Sequence, residues 1–302
     1  MKVAYLFPGQ GAQFPGMGQA LYKGSKQAQA LFEKANDLLG FRITDVMFAG
    51  TQEDLQATQI AQPAIFLHAV IAAEVISHLA PAMVAGHSLG ELSALVVSRV
   101  LSFEEGLQLV IRRADAMQAA CTQVPGAMAA ILGMEDKVVE ELCVAMPELV
   151  MPVNYNCPGQ LVIAGTEVGV HRACQALRAA GAKGIHSLAV EGAFHTPLME
   201  PAIETLAQAI RQATFQQGIC PVYQNVDAAP EICPLAIQKK LLQQLTSPVR
   251  WAQAVRHMVR DGAQSFVACG PGKALQGFVK RINAALEVAD SCANTKRSVL
   301  DE

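Results

Sequence analysis

Charge is scarce in this sequence. Only 16% of its residues are charged, and 23 Lys and Arg face 26 Asp and Glu. A nucleic-acid partner demands a basic excess, and a net charge of −3 supplies none. Long apolar runs are missing as well. No stretch offers 18 uncharged apolar residues, so a membrane-spanning helix is not expected; the nearest run, 64–76, is interrupted by His68 and Glu74. The N-terminus carries one lysine and a short strand-like run, without the long apolar core and small-residue cleavage site of a signal peptide. The eight cysteines are scattered, with no CxxC and no paired metal spacing, which reads as a reduced, cytoplasmic protein with mostly buried thiols. What is abundant is apolar material, 52% of 302 residues. That excludes general disorder and suffices for one large domain with an insertion, or for two domains.

Along the chain, residues 2–7 read as a buried strand running into the turn Pro8-Gly9-Gln10-Gly11. Ser25 can cap a helix whose apolar positions are Ala28, Leu31, Phe32, Ala35, Leu38 and Leu39, stopped by Gly40. Pro63 suits the first turn of a second helix reaching about residue 79. A strand over 82–85, a sharp turn over 86–90 and a helix to about 98 follow. Ser102 and Glu105 form a capping box for a helix ending near 121. From Gly126 the pattern changes to β-α-β-β-α-β, with strands at 127–132, 150–155, 161–165 and 184–190 and helices at 135–145 and 166–180. Helices at 197–213, 235–245 and 248–261, a strand at 265–269 and a last helix complete the chain. This order predicts an α/β protein: an α/β-hydrolase-like core (1–123 plus 192–290), an inserted ferredoxin-like subdomain (124–191) and a polar, flexible tail (291–302).

The sharpest chemical signal is Gly86-His87-Ser88-Leu89-Gly90 between a predicted strand and a predicted helix. That context is what a nucleophile elbow requires. The turn pushes the Ser88 hydroxyl out at the strand end, the two glycines allow close packing, and the Leu89 N–H points where an oxyanion would form. A serine needs a base. Of seven histidines, His68, His78 and His257 sit in helical patterns, His171 lies on a polar helix, and His87 adjoins Ser88 but would point elsewhere. His195, in the loop Gly192-Ala193-Phe194-His195-Thr196-Pro197, is the outstanding candidate, although spacing alone fits a structural role equally well. Arg112 and Arg113, paired in mid-helix, read by themselves as a solvated face.

Five motifs, in this order, carry a resemblance: Phe7-Pro8-Gly9-Gln10-Gly11-Ala12-Gln13, Gly86-His87-Ser88-Leu89-Gly90-Glu91, Asn154-Tyr155-Asn156-Cys157-Pro158-Gly159-Gln160, Phe194-His195-Thr196-Pro197-Leu198-Met199 and Ser247-Pro248-Val249-Arg250-Trp251. From about residue 3 to 285 the chain resembles the malonyl-CoA:acyl-carrier-protein transacylases and the related polyketide synthase acyltransferases. The resemblance implies Ser88 as acyl-enzyme nucleophile, His195 as general base, and the backbone N–H groups of Gln10 and Leu89 as oxyanion hole. It implies a backbone carbonyl, at Gln244, in place of a triad acid. It turns Arg113 into the site of the malonyl carboxylate, which a guanidinium can hold with two parallel hydrogen bonds. Gln62 and Asn156 match pocket-lining positions. Ala114 departs from the family's frequent glycine, and the bulky Phe194 accompanies malonyl more than methylmalonyl.

The reaction so implied is a ping-pong transfer from malonyl-CoA to the phosphopantetheine thiol of an acyl carrier protein, by a monomer, with no metal, redox cofactor, nucleic acid or membrane. Lys239, Lys240, Arg250, Lys273, Lys280 and Arg281 are candidates for docking an acidic carrier, although solvated surface is the more usual role for any one of them. The alternative is an α/β-hydrolase-type thioesterase, which shares the elbow but usually places an acid between serine and histidine and has no need for Arg113. Dinucleotide binding fails because Phe14 stands where GxGxxG needs its third glycine. Gly270-Pro271-Gly272-Lys273 lacks the Walker spacing.

Overall fold

A computed structural model describes residues 2–76, 80–190 and 192–291. The strands are β1 (Val3–Phe7), β2 (Met83–Gly86), β3 (Ala127–Leu132), β4 (Val150–Cys157), β5 (Gln160–Gly165), β6 (Gly184–Ser187), β7 (Val222–Tyr223), β8 (Pro230–Glu231), β9 (Ser265–Ala268) and β10 (Val288–Asp290). They form a six-stranded sheet, β10-β9-β1-β2-β7-β8, and a four-stranded sheet, β4-β5-β3-β6. In the larger sheet every pair is parallel except β7 with β8.

The apolar run of β1 is buried on both faces, as a parallel strand between helical layers should be. Tyr5 and Phe7 join the larger core cluster, whereas Ala4 and Leu6 join the cluster on the opposite face with Trp251 and Phe266. Because β1, β2, β7 and β9 run parallel, the turns after Phe7, Gly86, Tyr223 and Ala268 gather at one end of the sheet. Sites in open α/β sheets form at that end.

The inserted sheet pairs only antiparallel. Its order, with the first and third strands of the unit central, is the ferredoxin-like one. It has its own small core of Ile131, Val139, Leu161, Ile163, Val170 and Leu177. The chain leaves for the insertion and returns from it at touching points: a Cβ on Gly126 would lie 2.7 Å from that of Ala193.

Local signals explain most helices. Ser25 accepts from the Ala28 N–H, and Gly40 closes Lys26–Leu39 at φ 73°. The Ser102–Glu105 capping box starts Phe103–Gln123. Several expectations need correction. Pro63 lies inside the helix Thr58–Val75 and not in its first turn; the helix is buried on nearly all sides, so tertiary packing outweighs the lost backbone bond. The stretch expected as one helix from 197 is a 3-10 turn, Pro197–Ala202, followed by Ile203–Gln212, with Pro201 inside the turn. The helix expected at 248 starts at Trp251. Val249 instead docks on β4, with its N–H donating to Val153 O at 2.7 Å and its carbonyl accepting from Tyr155 N at 3.0 Å. The short helices Gln19–Gly24 and Ile43–Ala49 and the strands β7, β8 and β10 carried no usable pattern. The helix end expected at 79, His78, and the tail from 292 onward lie outside the described residues.

Candidate active site

The elbow follows β2 directly. Ser88 sits in left-handed backbone, φ 51°, and the helix Gly90–Val97 starts two residues later. The flanking glycines are sterically required. A Cβ on Gly86 would lie 1.8 Å from the Gly90 carbonyl carbon, and one on Gly90 would lie 2.2 Å from Phe7 O. The turn after β1 packs against the elbow, with His87 N donating to Phe7 O at 2.9 Å. At Gly9 a Cβ would stand 2.6 Å from His87 O. The N–H groups of Gln10 and Leu89 therefore lie on two turns packed against each other. Among the described residues neither donates to a protein acceptor, so both are available to a developing oxyanion.

His195 returns from the insertion with φ 65° and is buried. Its Nε2 lies 2.8 Å from Ser88 Oγ, and its Nδ1 lies 2.8 Å from the backbone carbonyl of Gln244. A carbonyl can only accept, so Nδ1 carries the proton and Nε2 is left to accept from the serine. Burial, and then the Arg113 charge, push the His195 pKa down to about 3, against the opposing effect of the Gln244 carbonyl. The imidazole is neutral at neutral pH, as a base must be.

Arg113 corrects the reading of a paired arginine as a solvated face. Arg112 is exposed, but Arg113 is 1% exposed. Its Nη2 donates to Ser88 Oγ and to Gln244 Oε1, both at 3.1 Å, and its Nη1 donates to Gln62 Oε1 at 2.9 Å. All three acceptors are neutral. Among the described residues no carboxylate forms an ion pair with it. Burial lowers its pKa to about 10, with the Glu91 charge opposing, so the guanidinium stays cationic. Phe194 and Ala114 are buried beside this machinery.

Reasoning from the sequence missed Asn225. Its Oδ1 accepts from Ser88 N at 2.7 Å and its Nδ2 donates to Gly86 O at 2.6 Å. It follows β7, a strand of two residues, and only the short run Pro221-Val222-Tyr223 before it could have hinted at a strand-end position. Asn225 N donates to Glu91 Oε2 at 2.8 Å. Glu91 is fully buried, and desolvation raises its carboxyl to about 7. Asn156, singled out earlier, lies with its Oδ1 2.9 Å from His87 Nε2. His87 thus faces away from the serine chemistry, 5.7 Å from the Trp251 ring.

A cleft of about 300 Å³ beside the elbow is lined by Gln10, His87, Asn154, Asn156, Lys273 and Phe278, among others. Among the basic candidates, Lys240 pairs with Asp227 and Glu231. Arg250 bonds Val226 O at 3.1 Å, and Arg281 bonds Gln160 Oε1 at 2.7 Å. Lys239, Lys273 and Lys280 form no ion pair among the described residues. There, too, no group of three His, Cys, Asp or Glu could hold a metal ion. No helix there is long and apolar enough to cross a membrane.

An arrangement of this kind passes acyl groups through a serine ester. The chain belongs to the acyl transferase domain family, whose model matches residues 4–295. It is 40% identical over 291 residues to the malonyl CoA-acyl carrier protein transacylase of Bacillus subtilis, covering 95% of this chain and 92% of that one. A crystal structure of an acyl carrier protein S-malonyltransferase from Vibrio cholerae superposes with a TM-score of 0.91 at 40% identity, over 96% of each chain. A type II PKS acyl-carrier protein in complex with its malonyl-transacylase gives 0.94 at 37% identity, over 99% of this chain and 100% of that one.

Proposed function

We propose that this acyltransferase moves a malonyl group from malonyl-CoA to the phosphopantetheine thiol of an acyl carrier protein, for fatty-acid or polyketide synthesis. His195 Nε2 takes the Ser88 proton as Oγ attacks the thioester carbonyl. The N–H groups of Gln10 and Leu89 receive the oxyanion, and His195 returns the proton to the departing coenzyme A thiolate. The carrier thiol then attacks the malonyl-serine ester by the same steps in reverse. The Gln244 carbonyl keeps the imidazole in the required tautomer and stands where a triad acid would. No metal or redox cofactor enters any step. The pantetheine arm runs along the cleft beside the elbow, and Lys239, Lys273 and Lys280 are free to meet the carrier. Cys143, Cys157, Cys174, Cys220 and Cys233 are free thiols, which supports a cytoplasmic location.

The observation that carries the substrate class is Arg113. A buried cation bonded only to neutral oxygens, 3.1 Å from the nucleophile, calls for an anionic group on the acyl chain. A generic thioesterase, the other reading of the elbow, has no use for it, and the relatives do not support that reading. The test is intact mass after incubation with malonyl-CoA. The wild type is expected to gain one malonyl group and Ser88→Ala none. Acylation at any other residue ends the proposal.

A further inference from the structure

We infer that Asn225 is a positioning residue for acyl transfer, holding the Ser88 elbow in its left-handed conformation and tying it to the residue that orients His195. The inference rests on the acyl-enzyme reading above. Nothing in the motifs points to Asn225; it follows from where its hydrogen bonds go.

Ser88 holds φ 51°, a conformation that a residue with a side chain keeps only when its surroundings enforce it. Two of the enforcing contacts come from a single side chain. Asn225 Oδ1 accepts the Ser88 N–H at 2.7 Å and Nδ2 donates to Gly86 O at 2.6 Å. The two bonds bracket the turn, one on each side of His87. The amide orientation is fixed by chemistry: a backbone N–H needs an oxygen opposite it and a backbone carbonyl needs an N–H.

The same Oδ1 accepts from Gln244 Nε2 at 3.3 Å, and that Nε2 also donates to Ser88 O at 3.1 Å. Gln244 is the residue whose carbonyl accepts the hydrogen bond from His195 Nδ1–H. Elbow and base are therefore referenced to one amide. Asn225 is anchored in turn, its N–H to Glu91 Oε2 at 2.8 Å and its carbonyl to Arg250 N at 3.0 Å. It is 2% exposed and each of its polar groups is used. An aspartate of the same shape could accept from Ser88, but it would set a carboxylate oxygen against Gly86 O.

The experiment compares wild type with Asn225→Asp and Asn225→Ala, measuring malonyl transfer and the rate of Ser88 acylation by rapid-quench mass spectrometry. Misplacement of a reacting group by about 1 Å costs on the order of a hundredfold. Both variants are expected to lose at least about tenfold in kcat and in acylation rate. KM for malonyl-CoA should stay within about twofold, because Asn225 does not touch the cleft or Arg113. A folded variant that keeps its kcat, or whose loss lies in KM alone, overturns the inference. If neither variant folds, the wild type decides. The Ser88 amide, outside any helix or strand, is expected to exchange slowly with deuterium, and rapid exchange overturns the inference. Failure of the wild type to acylate at Ser88 would instead remove the underlying reading.

Discussion

Ser88 Oγ lies 2.8 Å from His195 Nε2, and both residues occupy left-handed backbone, at φ 51° and φ 65°. The pair meets across 107 residues of chain, most of them in the inserted subdomain. Each side of the contact is thus conformationally strained, and each is over-determined by its neighbours: close-packed glycines and Asn225 on one side, the Gln244 carbonyl on the other.

Removing the base should expose how much the pair does. His195→Ala is expected to lower kcat for malonyl transfer by about 10²–10⁴-fold, the usual worth of general-base assistance. The acid limb of the wild-type kcat/KM profile should lie well below pH 6.5, since burial and Arg113 hold the imidazole down at about 3. Steady-state kinetics from pH 4 to 8 check both. A limb near 6.5 that vanishes in His195→Ala would show an imidazole exposed to water.

The elbow's steric argument concerns stability rather than chemistry. In Gly86→Ala the new methyl would lie 1.8 Å from the Gly90 carbonyl carbon, and in Gly90→Ala 2.2 Å from Phe7 O. Both obstacles are backbone and cannot turn aside. Each substitution is expected to cost at least about 3 kcal/mol, the upper end of ordinary overpacking, read as a shift in urea midpoint. Gly24→Ala, where nothing lies within 4 Å, is the control and should shift it little.

How much of this could be read from the chain depends on how local each feature is. The elbow was legible because glycine, serine and glycine act within five residues, and the Ser102–Glu105 box because a cap acts within one turn. The ferredoxin-like order was legible because each of its elements is long enough to show a period. Arg113 was not legible from periodicity, which counts Arg112 and Arg113 alike as polar; only the distant acceptors Gln62 and Gln244 decide which one turns inward. Asn225 follows a two-residue strand, too short for any alternation to register. The helix expected from 248 failed because Val249 found backbone partners on β4, a long-range pairing no local rule contains.

Glu91 gives a pH signature of its own. Its carboxyl is raised from an ordinary 4.5 to about 7 by burial, with Asn225, Gln244 and Arg113 acting in the lowering direction. The native state therefore keeps a proton that the unfolded chain has already released between these two values. Over that window the unfolded state binds fewer protons, so this group's contribution to stability falls as pH rises and is constant outside it. Glu91→Gln has no such proton. The difference in Tm, variant minus wild type, should grow from pH 4.5 to 7 and then level off. A difference independent of pH in thermal melts would place the Glu91 proton outside that window.

The carboxylate-holding role proposed for Arg113 separates a malonyl transferase from a generic acyl transferase most sharply. A charge-assisted hydrogen bond is worth about 1.5–3 kcal/mol, and stranding a charge in a partly dry pocket can cost more. Since about 1.4 kcal/mol is tenfold, Arg113→Ala should lose at least about tenfold in kcat/KM for malonyl-CoA. Acetyl-CoA carries no distal carboxylate, so its use should hold steady or improve. Arg113 also donates to Ser88 Oγ at 3.1 Å; if that bond mattered more than the carboxylate, both substrates would suffer alike. Arg113→Lys keeps the charge without the planar two-pronged donor and should recover only part of the malonyl activity. The decisive measurement is kcat/KM for both thioesters with wild type and both variants. Equal losses on malonyl-CoA and acetyl-CoA would make Arg113 a support for the nucleophile and leave the substrate class without its carrier.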